Sequence, residues 1–600
     1  MRTKRVPARK NKFKNYIDAL AAFPVVFVLA FIPLIVRLKI VDSNMVGSGY
    51  SYDFFSYWKV AALYAAGVIA VILAVWLIKK GELSFNKGVK IFAILTVAYV
   101  AMCFISSVFS EQRKIAFIGF PCQQEGFLTI LAVSIVSVYA AFFINNEKRR
   151  ELTINALYIS SIAVFLIGIL QFAGLDIIKS DFIKSFIIPT KYASLANDIV
   201  YPDAPSSSFR NTIYSTLYNS NVFGTFAAML FGLSLADSIH RSGLKKKALP
   251  LTVMSMAVFT LIGCYSRGAY LGAAVAAVTV VILSIKKIKM NLKETAVCVG
   301  CLVLAVIVAV FSGGGRVFDR LATVDVSYQD TVTGVNARIN DFKVNGNVLS
   351  VYFNKNELVI EKAGETLNFK DEKGNILTLD YSEKDEGYVI NSEKYKDFIV
   401  FASSDKLYIK KQNALLNFVI KDNSFILADI SGSPADIEKP EALFFEGKER
   451  LASGRGYLWS RTIPLIKNTL FLGLGPDNFY YAFPQNDYMG KLKFMYSAYI
   501  PVDMAHSMYL QTAVETGVVS LLIFLVLILL FAFTKIRTIF SKPLEHESTR
   551  ISVAAIAVTA AYMVCGIFTD ANAITMMIFL PLAGIFSNGS NLRKFASLMT

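Results

Sequence analysis

The sequence predicts an all-α polytopic membrane protein of about 12 transmembrane helices, with a large outer loop containing a small inserted all-β module. Three observations predict it. Apolar runs of about twenty residues recur along the chain, the length that crosses a hydrocarbon core as helix. The runs are unbroken, whereas barrel strands would alternate. Lys and Arg collect in every second connection, as the positive-inside rule requires.

The candidate spans are 18–36, 60–78, 91–110, 127–145, 153–173, 222–239, 249–265, 269–285, 295–312, 514–534, 551–568 and 573–587. The last of them is short. Residues 1–312 therefore hold the first nine helices, 313–513 the large loop and 514–600 the last three. Ahead of the first span the chain is basic from Arg2 to Lys14. Lys79-Lys80, Lys148-Arg149-Arg150, Lys245-Lys246-Lys247, Lys286-Lys287 and the segment 535–550 repeat that excess. Both termini are then expected in the cytoplasm and the large loop outside a plasma or inner membrane. The basic start resembles a signal peptide, but the run is long and no small-residue cleavage site follows, which predicts an uncleaved first helix.

The net charge of +17 is no sign of nucleic acid, because the basic residues sit at inner membrane edges facing anionic lipid. Of the six cysteines, five lie within spans and only Cys122 in an outer loop, so no disulfide framework is expected. Inner loops are too short for a nucleotide-binding domain and carry no Gly-rich phosphate loop. An activated substrate is expected to arrive through the membrane. Outer segments are longer: 174–221, and above all 313–513.

Within that loop, residues 345–429 change to a period of two. Runs at 348–353, 357–361, 376–381, 398–402, 406–409, 415–420 and 425–428 read as strands. Asn354-Lys355-Asn356, Lys373-Gly374-Asn375 and Lys421-Asp422-Asn423 read as hairpin tips. A spacer or shield over the membrane site is favoured over glycan or cell-wall binding, since no dense aromatic platform stands out.

The chemistry-bearing residues cluster in outer segments. The chain has three histidines, and the topology sets His240 and His546 on the inner side. His506 is left as the only near-neutral proton acceptor on the outer face, since a free imidazole titrates at about 6.5. Glu515 either orients it or pairs with a helix-end amide; Tyr509 and Gln511 lie nearby. Arg455 precedes Trp459 by one helical turn, so both can share a face. Arg461 follows on the same segment. Arg267 stands at an outer edge crowded by small residues, where a guanidinium suits a phosphate partner. Arg210 lies in an outer loop before Asn219-Ser220-Asn221, and phosphate contact and simple exposure weigh equally there. No outer D-x-D or His/Asp cluster has metal-ligand spacing.

Arg455-x-x-x-Trp459, Gly473-Leu474-Gly475-Pro476-Asp477-Asn478-Phe479 and His506-Ser507-x-Tyr509-Leu510-Gln511-x-x-x-Glu515-x-Gly517 follow in order. Together they resemble the signature of the O-antigen ligase and polymerase superfamily. Ser266-Arg267-Gly268-Ala269 resembles its upstream motif, and Leu217-Tyr218-Asn219-Ser220-Asn221 its Asn-rich entry to a span. The inserted β module is a departure from that pattern. The resemblance implies metal-independent glycosyl transfer, with no cofactor, from a polyprenyl-pyrophosphate-linked oligosaccharide to a glycan, lipid, protein or cell-wall acceptor. His506 would be the base or acceptor-orienting residue, and Arg455 and Arg267 would hold the pyrophosphate. Arg210, Arg461, Trp459, Tyr509, Gln511 and Glu515 are the further substrate-binding candidates. Polysaccharide polymerase and protein O-oligosaccharyltransferase readings share this machinery. The rival of another class, a lipid-linked glycan flippase, calls for mid-membrane charges and internal repeats. Few such charges are found.

Overall fold

The computed structural model describes residues 8–42, 50–83, 85–195, 212–217, 219–313, 339–353, 356–411, 414–495 and 497–588. Among these residues, ten helices are long and apolar enough to cross a membrane: Lys14–Leu34, Tyr57–Lys79, Lys87–Phe109, Glu147–Phe172, Ser220–His240, Leu244–Cys264, Arg267–Met290, Leu292–Ser312, Val518–Ser541 and Glu547–Cys565. Phe127–Phe143 and Ala573–Ser587 are apolar but shorter, at 17 and 15 residues. Two expected boundaries move. Span 514–534 starts at Val518, because Gly517 (φ 96°) breaks the chain after the separate short helix Met508–Glu515. Span 551–568 stops at Cys565, which leaves Phe568 in a loop.

Asparagine starts several helices by the same chemistry. The side chains of Asn86, Asn146, Asn219 and Asn572 each accept a backbone N–H of the first turn, satisfying donors that a helix start leaves open. The first helix is irregular: Pro24 and Pro33 interrupt its donors, and the chain passes through a π turn, Phe27–Phe31, into a 3₁₀ turn, Ile32–Leu34. Side chains take the carbonyls near its end. Thr216 Oγ1 donates to Pro33 O at 2.8 Å, and Lys59 Nζ donates to Ile35 O and, at 2.9 Å, to Thr216 O.

Helix Ser220–His240 is buried on every side. Small residues allow close approach: a Cβ on Gly224 of this helix would stand 2.6 Å from Ala269 Cβ, and helices Arg267–Met290 and Glu547–Cys565 meet the same way, a Cβ on Gly272 standing 2.4 Å from Cys565 Sγ. At the end of the bundle away from His506, the basic residues meet carboxylates from other segments of the chain. Arg149 binds Asp18 (2.9 Å) and Glu82 (2.7 Å), Arg550 binds Asp237 (3.0 Å), Arg241 binds Glu151 (2.8 Å), and Lys247 binds Glu294 (2.7 Å). Such pairing is what lets charge stay at a helix-packed edge.

Strands β1 (Lys39–Asp42) and β2 (Tyr50–Asp53) make a small antiparallel pair. The large loop holds two antiparallel meanders. The first runs β3 (Ile339–Asn345), β4 (Val348–Phe353), β5 (Asn356–Ala363), β6 (Thr366–Lys370), β7 (Ile376–Leu377). The second runs β8 (Leu379–Ser382), β9 (Gly387–Ile390), β10 (Phe398–Ala402), β11 (Lys406–Lys411), β12 (Ala414–Lys421), β13 (Ser424–Leu427). β3, β6 and β9 were not legible as strands, and the sheets begin at 339 rather than 345. Of the expected tips, Asn354 and Lys355 lie outside the described residues. Asp422 and Asn423, both at positive φ (50° and 60°), close β12 onto β13 as a two-residue turn. The two sheets share one core, with Phe353 against Phe398 at 4.9 Å and Phe342 against Phe418 at 5.3 Å. Tyr488, Leu492 and Ala498, from beyond the strands, complete that core.

Candidate functional site

Residues 566–572, joining helices Glu547–Cys565 and Ala573–Ser587, form the hub of the site. Met508 N–H donates to Gly566 O and to Thr569 O, both at 2.8 Å. Arg455 Nε donates to Phe568 O at 3.1 Å, and the Trp459 ring packs on the Phe568 ring at 6.3 Å. A Cβ on Gly268 would stand 3.0 Å from Phe568 Cβ, so the glycine brings Arg267, first residue of its helix, to the same loop. Ser266 Oγ donates to Asn221 Oδ1 at 2.8 Å, which ties in the start of helix Ser220–His240.

His506 Nδ1 lies 2.9 Å from Asp570 Oδ2. The histidine side chain is 43% exposed and the aspartate 10%, so a buried carboxyl holds a ring that remains open to a reactant. The backbone of His506 is left-handed (φ 51°), a conformation uncommon outside glycine. Left-handed residues also precede each arginine: Tyr265 (φ 52°) before Arg267, and Ala452 (52°), Ser453 (64°) and Gly454 (88°) before Arg455. The turn at 452–454 points Ala452 O at the guanidinium, which donates to it from Nη1 at 2.9 Å. Arg455 is thus held by two backbone carbonyls, and its plane is fixed before any ligand arrives.

Beneath this lies a set of buried acids. Asp477 Oδ2 accepts the Phe120 and Glu125 N–H groups at 2.5 and 2.8 Å. Glu125 Oε1 accepts Asn572 Nδ2 and the Ala573 N–H, both at 3.0 Å. Gln123 Nε2 donates to Asp503 Oδ2 at 2.7 Å. Burial pushes Asp477 up to about 7 and holds Asp503 above the carboxylate range. Burial first, and the Asp477 charge second, raise Glu125 and Glu515 well above it. Among the described residues no group of His, Cys, Asp and Glu is arranged to hold a metal ion.

The Gly473-x-Gly475-Pro476-Asp477 stretch has a physical cause here. A Cβ on Gly473 would stand 2.2 Å from Glu515 C, so only glycine lets this strand lie on the helix Met508–Glu515. Leu474 N–H then donates to Val514 O (3.1 Å) and Gly475 N–H to Glu515 O (2.8 Å), and the chain delivers Asp477 to the Phe120–Glu125 loop.

Of the residues expected from sequence, His506, Arg455, Trp459 and Arg267 converge on the 566–572 loop. Tyr509 donates to Met563 O at 2.7 Å, one helix removed. Glu515 does not reach His506: its carboxylate accepts Gln511 Nε2 at 3.1 Å and the Asp477 N–H, and both Gln511 and Glu515 are buried. Arg461 stacks on Tyr457 at 4.7 Å beside Asp487 (3.5 Å), on the far side of its helix from Phe568. Arg210 lies outside the described residues. The residue that sequence reasoning missed is Asp570. Its signal was present, as it is the only charged residue between Arg550 and Arg593. It falls just beyond the expected span 551–568, in the loop that follows helix Glu547–Cys565.

Residues 398–525 match the family model described as O-antigen ligase. No curated protein and no solved structure matches the chain. The matched stretch opens at β10, runs through Arg455, Trp459, Arg461 and His506, and closes inside helix Val518–Ser541. The segment that carries His506 and Arg455 thus matches an O-antigen ligase family model, and around it the described residues form ten helices long and apolar enough to cross a membrane.

Proposed function

We propose that this protein transfers a glycan from a polyprenyl-pyrophosphate carrier to an acceptor hydroxyl at the extracytoplasmic face, without a metal ion. The observation that carries the reading is the His506–Asp570 pair, 2.9 Å apart, on the loop that also takes Arg455. With the proton on Nδ1 and donated to Asp570, the outward Nε2 is the lone pair that removes the acceptor proton. As the acceptor oxygen bonds to the anomeric carbon, the bond from that carbon to the pyrophosphate oxygen breaks. Negative charge builds on the leaving pyrophosphate, where Arg455 and Arg267 stabilise it as pre-set donors. Burial raises Glu125 and Glu515 well above the carboxylate range, which lowers the negative charge facing the pyrophosphate. Acceptor class (lipid, growing glycan, protein or wall polymer) varies within this one chemistry.

The test is transfer of a purified polyprenyl-pyrophosphate oligosaccharide by protein reconstituted in vesicles, with donor binding followed in parallel. His506→Ala is expected to lose about 10²–10⁴-fold in rate while still binding donor. Arg455→Ala loses binding as well as turnover, and Arg455→Lys does not restore it, because an ammonium cannot reproduce the guanidinium fork. EDTA leaves the rate unchanged. Near-normal turnover in His506→Ala, or chelator-sensitive transfer, refutes the mechanism.

A further inference from the structure

A cleft of about 480 Å³ opens on the side of helix Leu451–Thr462 away from Phe568. Its walls come from residues 438–441, the 3₁₀ turn Ile463–Asn468 and residues 480–486. The volume falls within the roughly 300–1,000 Å³ typical of small-molecule sites. Two features point to its occupant. Tyr480 and Tyr481 present rings at 88° to one another, centroids 5.1 Å apart, with Tyr480 backed by Phe120 and Tyr481 48% exposed. Around them, the Glu438 carboxylate, the Asn468 amide and both tyrosine hydroxyls have no hydrogen-bond partner among the described residues, and the Asn486 amide stands beside them. Arg461 and the Lys467–Glu441 ion pair line the cleft as well. Flat apolar faces ringed by hydrogen-bonding groups of both charges match a pyranose, which has an apolar C–H face and a hydroxyl edge.

The cleft is tied to the reactive end of the site. Gln485, in its wall, donates from Nε2 to Tyr480 O (2.8 Å) and Val502 O (2.7 Å) and accepts the Val502 N–H at 3.1 Å. Val502 precedes His506 by four residues, a span of at most about 14 Å of extended chain. Tyr480 rests on the ring of Phe120, whose loop reaches Asp503 through Gln123.

We propose that this cleft is a sugar-binding subsite that holds a run of pyranose rings at a distance from the bond being made. The proposal rests on the glycan-transfer reading and names where that glycan lies. The probe is the oligosaccharide freed by mild acid from the lipid-linked pool of the producing cell. Its binding to detergent-purified full-length protein is measured directly, beside the vesicle transfer assay. Wild type and His506→Ala are expected to bind it alike. Tyr481→Ala and, on the opposite wall, Asn468→Ala are expected to weaken binding at least tenfold, with unchanged thermal unfolding. In transfer they raise the KM of whichever substrate, donor or acceptor, sends its sugars into the cleft. Affinities equal to wild type in both variants overturn the proposal, as does transfer by a wild type that does not bind the free oligosaccharide. Binding that is lost in the two variants, by a protein that transfers nothing, upholds the subsite and overturns the reaction.

Discussion

Asp570 shows how much one side chain decides. It sits between two apolar helices, 10% exposed, with its Oδ2 on the imidazole of His506. Replacing it with asparagine keeps the shape but offers an amide that can donate to Nδ1 and so favour the wrong tautomer. Asp570→Asn is therefore expected to cut transfer by about 10²–10⁴-fold with donor binding unchanged. Equal loss of donor binding would show that Asp570 only props the loop. The same scale explains Arg455. Its Nε and Nη1 donate to the Phe568 and Ala452 carbonyls, so backbone groups orient the guanidinium.

At the scale of elements, short loops are clasped to one another by buried acids. Asp477 holds the Phe120–Glu125 turn, and Glu125 in turn holds the start of helix Ala573–Ser587, next to Asp570. Burial raises Asp477 from an ordinary 3.8 to about 7, so the folded protein holds this proton more tightly than the unfolded chain. The contribution to stability is full below 3.8 and is lost as pH rises through about 7. Glu125 and Glu515, both raised, act in the same direction. The unfolding midpoint in detergent is expected to fall by roughly 2 °C or more between pH 5 and pH 8. Asp477→Asn, which keeps an acceptor for the two N–H groups, flattens the slope. A midpoint that rises with pH in wild type contradicts this account. The β sheets carry a different lesson. Their core takes in Tyr488, Leu492 and Ala498, and Tyr499 Oη donates to Ala428 O at 2.8 Å, so the strands are packed onto the site-bearing segment rather than hung from it.

For the whole molecule, the distribution of basic residues predicts which end of the bundle faces the cytoplasm. Lys246→Cys and Glu446→Cys, both at exposed positions, are expected to react with a membrane-impermeant maleimide from opposite sides of intact cells. Labelling of both from the same side would overturn the orientation and the outer placement of His506. The apolar helices themselves were legible because about twenty unbroken apolar residues have one solution in lipid, and a helix satisfies its own backbone. Asp422-Asn423 was legible as a turn because its geometry is local. The motif residues His506, Arg455, Trp459 and Arg267 could be picked out by residue type and order. Strands β3, β6 and β9 could not, since Thr366–Lys370 and Gly387–Ile390 are short and gain their place from cross-strand partners. Nor could the partner of the histidine. Sequence spacing offered Glu515, nine residues on, but the tight Gly473 approach turns that carboxylate toward Gln511 and Asp477. Asp570, 64 residues away, takes its place. By itself the sequence determined the apolar helices and most of the period-two strands, and it marked the candidate residues for chemistry, because each follows from local pattern. Only the tertiary structure decided which acid meets which base, because that pairing is set by loops from several separate segments closing on one another.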